Sequence, residues 1–302
     1  MKTLPPIAVV NDPVARPARA FSLVEIMLAV SLLSLIVLAL MAVFNSTQQA
    51  FRASVTQTDV LEGSRSAVDL ITTDLRALTA SGGDNNGPVN FSTLDNSFNI
   101  TPSLDYFPLQ QGLIGSGTSA RRTNVLNWCF LLGRENTKWI GVGYLVVATN
   151  NYPLYPLYRF YAETNLAASP ANLYVQFMNT IQASQWTNLS HVMDGVVHLT
   201  VRAYDTNGVW LTNGYGVGML PTVKNTVFYS PYLGEVGCYF HSNSLPAAVE
   251  LQMGVLEDRI LQRAASIPVT TARSNYLSGQ AGAVHLFRQR VSIPNVDPTA
   301  YQ

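Results

Sequence analysis

Charged side chains are scarce in this 302-residue sequence. They make up 12% of it, against 48% hydrophobic residues, and an ordinary soluble protein carries about 25% charge. The 18 Lys and Arg balance the 18 Asp and Glu, and no basic run interrupts that balance. A surface that neutralises phosphates needs such clustering, so nucleic acid is not an expected partner. Cysteine is scarcer still: Cys129 and Cys238 are too few for a disulfide framework. His191, His198, His241 and His285 never fall at metal-ligand spacing with a cysteine or carboxylate. His198 alternates with strand neighbours and is expected on an exposed sheet face. Gly115-Ser116-Gly117-Thr118 lacks the Gly-Lys-Ser/Thr of a phosphate loop, and no Gly-x-Ser-x-Gly elbow occurs. Asp84-Asn85-Asn86-Gly87 opens like a calcium loop without the glutamate that closes one. The expectation is a chain that is not an enzyme and that has neither cofactor nor metal site.

What the sequence does have is one long apolar run. Phe21 to Phe44 is 24 residues with a single charge, Glu25. As a helix it spans about 36 Å, enough for a hydrocarbon core of ~30 Å. Lys2, Arg16 and Arg19 precede it against one acid, Asp12, which favours a cytoplasmic N-terminus and an exported C-terminus. The run is too long for the 7–15-residue core of a secretory signal peptide, roughly speaking, and Leu40 and Ala42 make a poor A-x-A site. A plain signal anchor fits the length but not Glu25, because a carboxylate inside an apolar span is costly. A cut between Ala20 and Phe21 changes that. Phe21 then carries a new α-amino cation, one helical turn from Glu25 on the same face. Paired, within one chain or between neighbours, the two charges cease to be a liability and set a register.

At these residues a resemblance enters. A basic leader, a small residue, then Phe21-Ser22-Leu23-Val24-Glu25 and an apolar run resembles the class III signal of type IV pilins and type II secretion pseudopilins. The resemblance implies that a prepilin peptidase cuts after Ala20 and methylates the Phe21 amine. It implies that Glu25 docks on the N-terminus of a preceding subunit. The family usually has Gly where this chain has Ala20, and its leaders are shorter than 20 residues as a rule.

Beyond the apolar run the helix pattern persists. No proline occurs between Ala18 and Gly87. Leu61, Val68, Ile71, Leu75 and Leu78 recur at three- and four-residue spacings, with Ser64 in one slot. Glu62, Arg65, Asp69 and Arg76 lie opposite. One helix over about Ser22–Thr79, ~87 Å long, is expected, ended by Ser81-Gly82-Gly83. From Ser81 onward short β-like runs alternate with turn clusters. Val125–Leu132 and Trp139–Thr149 bracket a polar Gly133–Lys138 and read as a hairpin. Leu157–Ala162, Val196–Tyr204, Ala248–Glu257 and Ala283–Val291 read as further strands of one sheet. The expected organisation is a leader (1–20), a transmembrane helix (21–44), its periplasmic continuation (45–80) and a globular β domain (81–302). The fold class is α+β, one long helix packed on an antiparallel sheet, pilin-like by resemblance.

Parts of the globular region are similar to the J-type minor pseudopilin of type II secretion. They are Ser66–Leu78, Asp194-Gly195-Val196-Val197 with LTVRAYDTNGVW after it, and Leu245-Pro246-Ala247-Ala248-Val249-Glu250-Leu251. Asn213–Ser244 and the stretch after Arg263 depart from that pattern. The ending VHLFRQRVSIPNVDP is similar to pilin-like cassette proteins of verrucomicrobial bacteria. The resemblance implies a structural subunit held in the inner membrane by one span, its C-terminal domain in the periplasm. Its implied partners are other pilins or pseudopilins and the prepilin peptidase, and its implied destination is a filament tip. In an oxidising periplasm Cys129 and Cys238 are able to pair, though Cys129, inside an apolar run, fits a buried thiol equally well. A different class also fits the composition: a membrane-anchored adhesin or carbohydrate-binding β domain. Its stacking platforms would be Tyr152, Tyr155, Tyr158, Tyr161, Tyr229, Tyr232 and Tyr239, although the same residues serve as ordinary sheet core.

Overall fold

The computed structural model describes residues 22–83, 87–95, 110–112, 121–147, 154–183, 185–212, 224–229 and 235–301. The leader with Ala20 and Phe21, the Asp84–Asn86 and Gly115–Thr118 stretches, Tyr152 and Tyr232 lie outside them. The chain divides between Ser54 and Val55 into two units. Helix α1 (Leu23–Arg76) contributes to both.

In the first unit, Leu23–Phe51 is long and apolar enough to cross a membrane. Its large side chains are exposed all round, from Leu23 and Val24 to Phe44 and Phe51. An unsatisfied backbone is intolerable in hydrocarbon, and a helix satisfies its own. Ser31, Ser34 and Thr47 follow the same rule by donating their hydroxyls to the carbonyls of Leu28, Val30 and Val43.

The second unit is α+β. Its larger sheet has seven antiparallel strands in the order β7-β6-β5-β4-β1-β10-β9. These are β1 (Val89–Asp95), β4 (Asn127–Glu135), β5 (Lys138–Val146), β6 (Leu157–Asn165), β7 (Ser190–Met193), β9 (Thr226–Phe228) and β10 (Cys238–His241). A separate three-stranded sheet is ordered β12-β11-β8, from β8 (Val196–Tyr204), β11 (Ala248–Leu256) and β12 (Val284–Ser292). β2 (Gln110–Gly112) and β3 (Arg121–Thr123) form a two-stranded ribbon. The remaining α-helices among the described residues are α2 (Ala171–Gln182), α3 (Asp258–Ala265) and α4 (Thr270–Ser278). The single sheet expected from the sequence is therefore two. The cause is the core: β8 and β11 turn Val197, Leu199, Val201, Val249, Leu251 and Met253 toward the same buried cluster that receives Phe91, Leu131, Val142 and Tyr144 of the larger sheet. Two apolar faces meet instead of extending one ladder.

The α1 stripe belongs to that cluster. Val60, Ala67, Val68, Ile71, Leu75 and Leu78 are buried, and Ser64 is fully buried in its slot. The helix ends at Arg76, short of Thr79, because the chain leaves it to extend the β4 ladder. Leu78 bridges Gly133, and the Thr79 amide donates to the Leu132 carbonyl at 2.9 Å, beyond the point where β1 stops pairing at Leu131. The β4–β5 hairpin is tighter than its polar stretch implied. Glu135 pairs with Lys138, leaving Asn136-Thr137 as the turn, with Asn136 at φ +49°.

The opposite face of the larger sheet has its own core, and the sequence reading contained no helix for it. α2 follows Pro170 and sets Leu173, Phe177 and Ile181 on one face. They pack with Trp128, Phe130, Leu132, Leu145 and Phe160. Gly141 and Gly143 make the approach possible: a Cβ on Gly143 would lie 2.3 Å from Phe177. Nor is His198 exposed as its alternation implied; it is 8% accessible. It faces Gly254 across the ladder, and its own Cβ lies 3.0 Å from where a Gly254 side chain would begin.

Candidate functional site

Glu25 stands in the first turn of α1 with a local partner. The Ser22 amide donates to Glu25 Oε2 at 2.9 Å and the Ser22 hydroxyl donates to the same oxygen at 3.1 Å. The Glu25 amide donates to Ser22 Oγ at 3.2 Å. Ser-x-x-Glu in this geometry is a capping box, each end satisfying an otherwise orphaned donor. The carboxylate is therefore usable without the Phe21 amine, which corrects the inference that only cleavage explains it. Ser22 is the residue that the charge-based reading passed over, and its spacing from Glu25 is the signal that carries it.

A second cluster ties the C-terminal part of α1 to the larger sheet. Arg159 Nε donates to Asp74 Oδ2 at 2.9 Å and Nη2 to Oδ1 at 3.0 Å, a two-pronged contact that suits guanidinium and carboxylate. The Tyr144 hydroxyl donates to Asp74 Oδ2 as well. Burial, and then that bond, pushes the Tyr144 phenol well above its ordinary range. The group borders a cleft of about 290 Å³ lined also by Thr73, Arg134, Glu135 and Tyr161. Arg159 and Tyr144 both donate to Asp74, so the arrangement fastens helix to sheet. Asp74→Ala is expected to destabilise the second unit by about 2–3 kcal/mol, since it strands a largely desolvated guanidinium. Urea unfolding of the detergent-solubilised chain, at unchanged denaturant slope, measures it.

The cysteines do not pair. Both are free and buried. β1 runs between them, with Thr93 opposite Cys129 on one side and opposite Cys238 on the other. Two strand spacings put their Cα atoms roughly 9–10 Å apart, past the ~7 Å limit of a disulfide. Burial pushes the Cys129 thiol up to about 12 from 9.0, and burial raises Cys238 in the same way. Iodoacetamide is expected to leave both intact in the native chain at mildly alkaline pH and to label both in urea. The sign for stability follows. The unfolded thiol ionises first, so the Cys129 contribution is whole below pH 9 and is lost as pH climbs from 9 toward 12. Unfolding midpoints taken across that range test it.

Most of the described tyrosines are engaged within the chain. Tyr155 is buried. Tyr158 meets His191 edge-on. Tyr229 and Tyr174 both stand edge-on to Tyr239, and the Tyr174 hydroxyl donates to that of Tyr239 at 2.9 Å. Tyr161 is half exposed, with the Arg159 guanidinium over its ring. Among the described residues no three His, Cys, Asp or Glu side chains gather as a metal site. His191 bonds Asp194, His241 bonds the Gly87 carbonyl, and His285 lies 3.4 Å from Glu257.

No protein-family model, no curated protein and no solved structure matches the chain.

Proposed function

We propose that the chain is a minor pseudopilin or pilin-like structural subunit of a type II secretion or type IV pilus-like filament. A prepilin peptidase cuts it after Ala20 and methylates Phe21; the apolar helix holds it in the inner membrane and then packs among the helices of other subunits. The observation that carries the reading is Glu25, the only charge between Phe21 and Phe44, set behind Phe21-Ser22. The helix that is long enough to span a bilayer and the α+β second unit, with the α1 stripe buried in its core, are compatible with such a subunit. Of the five described tyrosines named for the adhesin alternative, Tyr155 is buried, Tyr158, Tyr229 and Tyr239 are half-buried in ring contacts within the chain, and Tyr161 alone is exposed, which gives that alternative little support. Intact mass of the protein from its native membrane tests the reading: a chain beginning at N-methyl-Phe21 is expected, and one that keeps Met1 overturns it.

A further inference from the structure

The face of the larger sheet that packs on α1 is left open between the last turn of that helix and β6. The cleft of about 290 Å³ lies there. Its floor is Leu131 and Gly133 of β4 with Ile140 and Val142 of β5; Thr73 and Ala77 stand on one side and Tyr161 on the other. Leu131 and Val142 belong to the core that holds the α1 stripe, so the floor is the rim of that core. β7 pairs only with Leu157–Arg159 of β6. Past Arg159 no strand among the described residues covers the β6 side, and Tyr161 is 48% exposed. The cleft is apolar below and open to solvent at the side.

Four charged residues line it: Asp74, Arg134, Glu135 and Arg159. Asp74 and Arg159 neutralise each other through their two-pronged contact. Arg134 carries its charge to the other face of the sheet. Its guanidinium lies 5.9 Å from the centre of the Trp139 ring, and Trp139 belongs to the core beneath α2. Neighbours along a strand point to opposite faces, so Glu135 turns toward the cleft. Lys138 stands directly across the ladder from Glu135, but its ammonium is bonded to Glu163. One cation thus serves two carboxylates, and Glu135 takes no hydrogen bond among the described residues. The cleft therefore joins an aliphatic floor to one uncompensated negative charge at its mouth. An acidic occupant meets Glu135 as a like charge, and a wholly apolar one leaves it unanswered. Lysine and arginine suit both parts, because they bury their methylenes on apolar surface and keep the charged head at the water's edge.

We propose that this cleft receives a lysine or arginine side chain of a different protein chain, its methylenes on Leu131, Ile140 and Val142 and its cationic head at Glu135. The apolar stem supplies contact area and the carboxylate selects the charge. The inference rests on the second unit alone and stands apart from the fate of Phe21.

The test uses the full chain in nonionic detergent, its Ile, Leu and Val methyl groups labelled for NMR. Three blocked peptides, Gly-Ser-Lys-Ser-Gly and its norleucine and Glu counterparts, are titrated in. The Lys peptide is expected to shift the methyls of Leu131, Ile140 and Val142 saturably. Norleucine keeps the stem without the charge and is expected to bind about fivefold more weakly, the factor that an exposed ion pair supplies at its best. The Glu peptide is expected to leave the three residues unmoved. Glu135→Gln, at an exposed position, is expected to lower the affinity for Lys to that for norleucine and to leave norleucine unchanged. A folding defect would weaken both peptides alike. Absence of shifts, equal binding of Lys and norleucine, or a preference for Lys that survives Glu135→Gln overturns the proposal. So does movement of the same methyls on dilution of the chain alone, which marks a second copy as the occupant.

Discussion

Glu25→Gln is expected to reach the membrane in normal amount and to drop out of filaments to background, while Ser22→Ala is expected to assemble. The pair separates two uses of one carboxylate. A capping box accepts Gln in place of Glu, since the amide oxygen still receives the Ser22 amide; the bonds at 2.9 and 3.1 Å need an acceptor and not a charge. Neutralising the Phe21 amine of a neighbour does need the charge, and in a water-free helix bundle that attraction is far stronger than in solution. Glu25→Val removes both uses and is expected to match Gln in assembly. The readout is the share of the chain recovered in sheared filaments against that in membranes. Should Gln assemble and Ser22→Ala fail, the carboxylate is a helix cap and the amine pairing falls. The two uses do not exclude each other, because the capping bonds recorded from Ser22 end on Oε2.

The parts of this molecule that were legible in sequence are those with a period. The spacing of Val68, Ile71, Leu75 and Leu78 is enough to place a buried stripe, because a helix has only one way to put those residues on one side. The strand Val196–Tyr204 has the limits that its alternation gave. The partition into two sheets was legible in principle. WIGVGYLVV is apolar without interruption and VLNWCFLL is broken only by Asn127, the mark of strands covered on both faces, whereas Val249, Leu251, Met253 and Val255 alternate. That difference separates the β4–β5 layer from the β11 layer, but only if pattern type is weighed along with pattern presence. α2 also had its signal in Leu173, Phe177 and Ile181, four residues apart, within 12 residues after a proline. The Asp74–Arg159 contact had none: 85 residues separate its members, and nothing local announces a pairing that tertiary approach creates.

Phe177→Ala is expected to cost the second unit about 3–5 kcal/mol, the usual range for a buried aromatic truncated in a core that cannot collapse. Its ring is fully buried, with centroids 5.6 Å from Trp128, 5.7 Å from Phe130 and 5.4 Å from Phe160. The larger sheet has no other α-helix among the described residues on that face to close the gap. Gly143 supplies the converse perturbation. A methyl there meets Phe177 Cε2 at 2.3 Å, so Gly143→Ala drives the ring outward and is expected to cost roughly 1–3 kcal/mol by overpacking. The two defects are complementary in volume, and the double variant is therefore expected to be more stable than the sum of the single losses implies. Urea unfolding of the four proteins in detergent gives the coupling, and near-ultraviolet dichroism reports whether Trp128 keeps its environment. Strict additivity would mean that Phe177 does not rest on Gly143, and that α2 is held to the sheet by Leu173 and Ile181 alone.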